Sequence, residues 1–178
     1  MTADGIFAKF NDAGVQAALT RLAGPVALSL ASSMAVAGGQ VLRDEAKLLA
    51  PEFDGSTALL AGANVDRPPI PGLLRDAIYL AHSDTRSHGA LQTYSVSWNS
   101  RKAPHGHLLE FGHWRINAII GGVPTKNRLA APQWVAAHPF LRPALDIAGG
   151  FAMSAMITRG KQRLPQLLAG NTVTANEP

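Results

Sequence analysis

The stretch LAGPVALSLASSMAVAGGQVLRDEAKLLAP, residues 22–51, decides the architecture. Its first 21 residues, between Arg21 and Arg43, carry no charge, which is long enough for a helix to cross a bilayer. Composition argues against a span. Pro25, Ser29, Ser32, Ser33, Gly38, Gly39 and Gln40 interrupt the run and alanine fills many other positions, so transfer into lipid gains little. The spacing instead predicts a helix from near Pro25, whose missing N–H suits a first helical turn, to about Leu49. Val26, Leu30, Met34, Ala37, Val41, Leu42, Ala46 and Leu49 fall mostly three and four apart, an apolar stripe that the small neighbours allow to pack closely. Arg43, Asp44, Glu45 and Lys47 mark the wet face. Ala50-Pro51 ends the helix, because a residue before proline is pushed out of the helical region. Gly38-Gly39 is a place for a kink.

The chain around this helix has 178 residues, 47% hydrophobic and 16% charged, enough for one core and a single domain over 1–178. It has no cysteine, which removes disulfides, thiolate nucleophiles and every cysteine-based metal motif. The start MTADGIFAKFNDAG lacks the basic opening and apolar run of a secretory signal, so a reducing cytoplasm is expected. Charge is uneven. Residues 1–71 hold five Lys/Arg against seven Asp/Glu, whereas 72–178 hold eleven against five, a balance suited to an anionic partner or to ordinary solvated surface.

Beyond the helix, residues 51–71 are rich in Pro, Gly, Asp and Asn and read as a long loop. LLRDAIYLAH (73–82) and LQTYSVSW (91–98) read as an antiparallel hairpin, with Tyr94, Val96 and Trp98 on one face. Residues 115–132, with Gly121-Gly122 and Pro124, favour a second long loop or a hairpin, and QWVAA (133–137) suits a third strand. A last helix is expected from about Arg142 to Leu168, interrupted at Gly149-Gly150 and ended or kinked at Pro165. Residues 1–24 are then an N-terminal extension and 169–178 a tail. The expected class is α+β: a long N-terminal helix and a C-terminal helix packed on a small, mainly antiparallel sheet.

Two chemistries are spelled out weakly. His105, His107, Glu110 and His113 have the spacing H-x-H-x-x-E-x-x-H, which on a helix would bring three ligands to one cation and support a metal-dependent hydrolase. Pro104, Gly106 and Gly112 oppose a continuous helix there, and the metalloprotease H-E-x-x-H pattern is missing, so His107 reads better as a packing residue with His105 and His113 on a loop surface. Arg101, Lys102, Arg115, Lys126, Arg128, Arg159, Lys161 and Arg163, with Trp98, Trp114 and Trp134 available to stack, would serve a basic DNA-binding module. No nucleophile elbow or phosphate-cradling glycine loop is present.

Five segments in order carry a resemblance: VLRDEAKLLAP (41–51), GLLRDAIYL (72–80), YSVSW (94–98), APHGHLLEFGHWR (103–115) and AHPFLRPALD (137–146). Over roughly residues 30–160 the chain resembles the gene-ten-like tail-component family of long-tailed phages. Its markers are Ala50-Pro51, Gly72-Leu73-Leu74-Arg75 opening the first strand, Glu110-Phe111-Gly112, and Pro139-Phe140-Leu141-Arg142-Pro143-Ala144-Leu145. It departs from the family at His107, where an aromatic is usual, at His113, where threonine is common, in the long connection from Trp114 to Gln133, and in the residues before Pro25.

The resemblance implies a structural virion protein without catalysis or cofactor, a tail-completion or head–tail joining component of the neck. It would form a ring of its own copies at the top of the tail, touching tail-tube and connector or stopper proteins, with at most non-specific contact to DNA and no membrane. The expected interface and structural residues are Glu110, Phe111, Gly112, Pro139, Phe140, Arg142 and Pro143. Phe140 and Leu141 are read as buried anchors of the last helix, and Arg142 as the partner of an acid, with Glu110 the nearest in the same or a neighbouring subunit. Residues 51–71 and 115–132 are the expected contact arms. Glu110→Ala is expected to impair assembly more than subunit stability.

Overall fold

Helix α1 runs Gly24–Leu49, as the stripe of residues 26–49 predicts. By length and composition it is apolar enough to cross a membrane, an 18-residue window within Val26–Leu49 reaching a mean hydropathy of 1.2. Its apolar stripe packs against residues from 74–103 and 140–167. The computed structural model describes residues 24–52, 70–120 and 123–169. The expected loop 51–71, extension 1–24 and tail 169–178 therefore lie almost wholly outside the described residues.

After α1 come α2 (Leu73–Ala77), β1 (Ile78–His82), a single 3₁₀ turn (Asp84–Arg86), β2 (Tyr94–Trp98), α3 (Gly106–Phe111), β3 (His113–Ile120), β4 (Val123–Val135) and α4 (Leu141–Leu168). The class is α+β, and the strands form two separate antiparallel pairs, β1 with β2 and β3 with β4.

Helices α1 and α4 lie antiparallel, since Leu30 and Ala31 meet Leu167 at one end while Leu42 meets Ala148 and Ala152 toward the other. Small residues set this close approach. A Cβ on Gly38 would stand 3.1 Å from the Ala152 carbonyl oxygen, and one on Gly160 would stand 2.9 Å from the Met34 sulfur. Arg159 crosses the seam to donate to the Ser33 hydroxyl at 2.9 Å. Gly149-Gly150 and Pro165 lie inside a continuous α4, so neither interrupts it.

The first expected strand is shorter than its apolar run. Leu73–Ala77 turns as a helix, opened by Gly72 at φ 72° and the Asp76 N–H to Gly72 carbonyl bond at 2.9 Å. This buries Leu74 and Ala77, three apart, on one side, which an alternating strand could not do. Strand pairing begins at Ile78, opposite Trp98, and runs to His82, opposite Tyr94. The core lies between this hairpin, the end of α1 and the start of α4, where Trp98 and Phe140 meet edge-to-face at 5.9 Å among Ala46, Ala50, Ala77, Ala103 and Ala144.

Of the two readings of residues 115–132, the hairpin is the one observed: residues 115–120 and 123–132 are strand, in β3 and β4, together with Gln133–Val135 of the expected third strand. The alternation that would reveal it is broken. Arg115 faces Gln133 but Asn117 faces Arg128, so two steps along β3 match five along β4 and Leu129–Pro132 bulge out. Gly112 starts the hairpin at φ 73°, where a Cβ would also stand 2.8 Å from the Val135 carbonyl oxygen and 3.1 Å from the Ala137 nitrogen. Gly112→Ala is therefore expected to destabilise the fold by about 2 kcal/mol, through left-handed backbone strain plus a main-chain clash. Chemical denaturation checks this, and an unchanged midpoint contradicts it.

Candidate functional site

The residues that carried the sequence reading converge at the foot of the hairpin. Phe140 occupies the position before α4, where a polar side chain would ordinarily accept the free N–H groups of the first turn. Phenylalanine cannot, and Glu110 does so from α3. Its carboxylate accepts the main-chain N–H groups of Phe140 at 2.8 Å, Leu141 at 3.0 Å and Arg142 at 3.3 Å. Glu110 is 2% exposed, so these bonds are made largely out of water. The negative carboxylate also faces the positive end of the α4 dipole. Beside it, the His138 N–H donates to the Leu109 carbonyl at 2.7 Å, a second tie between α3 and the entry to α4.

The expected pairing of Glu110 with the Arg142 side chain is corrected by this arrangement. Within the subunit, Glu110 bonds the Arg142 main chain, while the guanidinium lies 5.6 Å from the centre of the exposed Phe111 ring. The carboxylate is drawn to the uncapped helix end, and the long arginine side chain remains outside. Phe140, fully buried, and Leu141 are anchors as expected. Pro139 is exposed, and Pro143 is half-buried in the first turn of α4.

From this foot the β3–β4 hairpin projects, with its main contacts confined to its own two strands. Trp114 and Trp134 are opposite each other and meet edge-to-face at 5.3 Å, yet Trp114 remains 63% exposed. Ile116 continues the same side and Phe111 precedes it, both exposed. A second apolar surface follows the outward face of α4, where Ile147, Phe151, Met153 and Ile157 are exposed, Phe151 at 70%. Such apolar surface on a small domain marks contact with another protein more often than chemistry.

Of the two alternative chemistries, only the metal site can be read from the placed side chains. Among the described residues no group of three His, Asp or Glu side chains is placed to hold a metal ion. Glu110 is committed to the helix end, and His107 is exposed rather than a packing residue. The cations are divided: Arg163 is buried near the end of α4, Arg159 is bonded across the α1–α4 seam and Arg115 reaches Gln133, while Lys126 and Arg128 stay exposed on the hairpin that carries Trp114 and Trp134. A cavity of about 120 Å³ opens between α1, α4 and the start of β2. Of its polar side chains, Gln92 is engaged with His82 and the Gly89 carbonyl, and the Thr93 hydroxyl donates to the Arg86 carbonyl.

Partial burial of its ring holds His105 below the usual histidine pKa of 6.5, and His107 beside it lowers it further. The folded chain therefore resists protonating His105. Stability linked to this residue is present above pH 6.5 and is lost as pH falls through the lowered folded value. An NMR titration is expected to place His105 below 6.5, and His107→Asn to return it only part of the way, because burial is the larger cause. A midpoint at or above 6.5 contradicts this.

The Glu110 cap was missed because its partners are main-chain groups thirty residues away. The available signal was an apolar residue, Phe140, standing where a helix cap belongs. No protein-family model, curated protein or solved structure matches the chain.

Proposed function

We propose that this chain is a structural subunit of the neck of a long-tailed phage, a tail-completion or head–tail joining component that acts as a ring of copies and catalyses no reaction. The observation that carries the reading is the junction of α3 with α4. Two segments of the resemblance, 103–115 and 137–146, meet there through Glu110, and the junction plants an exposed aromatic hairpin on the body. A subunit whose task is docking needs a rigid foot, a projecting arm and apolar surface left for neighbours, and these are the features at this end of the molecule. Its partners in this reading are its own copies, tail-tube proteins and connector or stopper proteins, within the virion and, during assembly, the host cytoplasm.

The test is electron microscopy of lysates from a phage or prophage strain lacking the gene. Full heads and finished tails that stay apart indicate joining, and tails malformed at the upper end indicate completion. Normal joined particles overturn the reading.

A further inference from the structure

We propose that the open edge of β3 in one copy adds to the open edge of β1 in the next, so that two two-stranded sheets become one four-stranded sheet across a head-to-tail contact. This deepens the ring reading by naming the surfaces that meet. Each sheet stops at two strands, and among the described residues no main-chain hydrogen bond from another element reaches the outer edge of β1 or β3. A hairpin of two strands is marginal in water unless something else packs on it, and among the described residues β3–β4 has little against it.

The two edges of that hairpin differ. Strand β4 is interrupted by Pro132 and a bulge, devices that spoil an edge for pairing. Strand β3, His113–Ile120, contains no proline and places Trp114 and Ile116, 63% and 50% exposed, on one face. Among the described residues nothing protects its open edge or covers its apolar face.

Charge then selects the acceptor. From His113 to Val135 the hairpin carries Arg115, Lys126 and Arg128 and no acid. Strand β1 is flanked by Asp76 and Asp84, whose side chains are 70% and 95% exposed, and by Arg75 and Arg86, so its flanks carry no net charge to oppose the hairpin. Strand β2 is instead followed by Arg101 and Lys102, which would repel the hairpin. Tyr79 of β1, 41% exposed, offers an apolar ring to Trp114 and Ile116. Pairing β3 with β3 about a two-fold axis would bring two cationic hairpins together. A contact between two different edges is heterologous, the kind that closes into rings.

The absence of cysteine makes the test direct. Tyr79→Cys and Ile116→Cys are placed separately and together in the full chain, with Leu28→Cys on α1 as an exposed control, and treated with mild oxidant or a short bismaleimide. Circular dichroism confirms that each variant is folded. Mixed single variants are expected to join Tyr79→Cys to Ile116→Cys about a hundredfold faster than either joins the control, because paired strands raise the local thiol concentration far above that of free chains. The double variant should give a ladder of dimers, trimers and higher species. Crosslinking no faster than the control overturns the proposal, as does Ile116→Cys alone dimerising as fast as the mixture. A ladder alongside normal particles from the deletion strain would leave the shared sheet standing and remove the neck reading. Separated heads and tails without a ladder would do the reverse.

Discussion

Phe140→Ala is expected to lower the unfolding free energy by about 3–5 kcal/mol, the range for truncating a large aromatic in a packed core. Phe140 is 0% exposed and is the largest fully buried side chain among the described residues. Its neighbours decide where in the range the loss falls. Apart from Trp98, Leu74, Ile78 and Leu141, the buried members of the surrounding cluster are alanine, Ala46, Ala50, Ala77, Ala103 and Ala144, with Leu49, Val96 and Leu109 partly buried at its margin. Alanine has no rotamer with which to fill a vacated ring, so the space remains a cavity and the upper half of the range is expected. Urea denaturation monitored by far-UV circular dichroism measures the change, and an unchanged midpoint would show that this ring is not what holds the helices to the β1–β2 hairpin. A double-mutant cycle with Trp98→Ala should give a coupling of about 0.5–1.5 kcal/mol from the edge-to-face pair.

How much of this molecule was legible in its sequence depends on the kind of order involved. Helix α1 was legible to its ends because one stripe repeats for seven turns and Ala50-Pro51 stops it. The α4 boundaries were legible too, but Gly149-Gly150 was overread as a break. Packing against α1 holds a long helix together through residues that would weaken an isolated one. The turn at Leu73–Ala77 was read as strand because an apolar run is ambiguous when short, and only tertiary burial of Leu74 and Ala77 decides it. The β3–β4 hairpin is legible only as one of two readings of residues 115–132, because its bulge takes the side chains beyond Leu129 out of simple alternation. At the site, Glu110, Phe111, Gly112, Phe140 and Arg142 were singled out and lie together, but the bond linking them was assigned to the wrong part of Arg142. Side-chain charge is visible in a sequence, whereas an unfilled main-chain N–H is visible only once the helix start is known.

The Glu110 cap gives the second large effect: Glu110→Ala is expected to destabilise the fold by about 2–4 kcal/mol. The substitution removes the acceptor of three N–H groups, two of which belong to the buried residues Phe140 and Leu141. A buried donor left without a partner costs about 1–3 kcal/mol, and removing the desolvated carboxylate returns part of that. A cost to the fold of this size is expected in its own right, beside the assembly defect expected from sequence. Loss of the cap loosens the tie of α3 to α4, and with it the foot of the hairpin that starts at Gly112. Glu110→Gln separates the contributions. One amide oxygen can keep the two bonds now made to Oε2, while the amide NH₂ faces the less buried Arg142 N–H, so roughly 1 kcal/mol of charge–dipole attraction should be lost. The expected order of stability is wild type, then Gln, then Ala, with amide exchange at Phe140 and Leu141 accelerating in the same order. Equal stability of all three proteins would mean that the first turn of α4 is held by its packing alone, and that Glu110 is free to act at an interface.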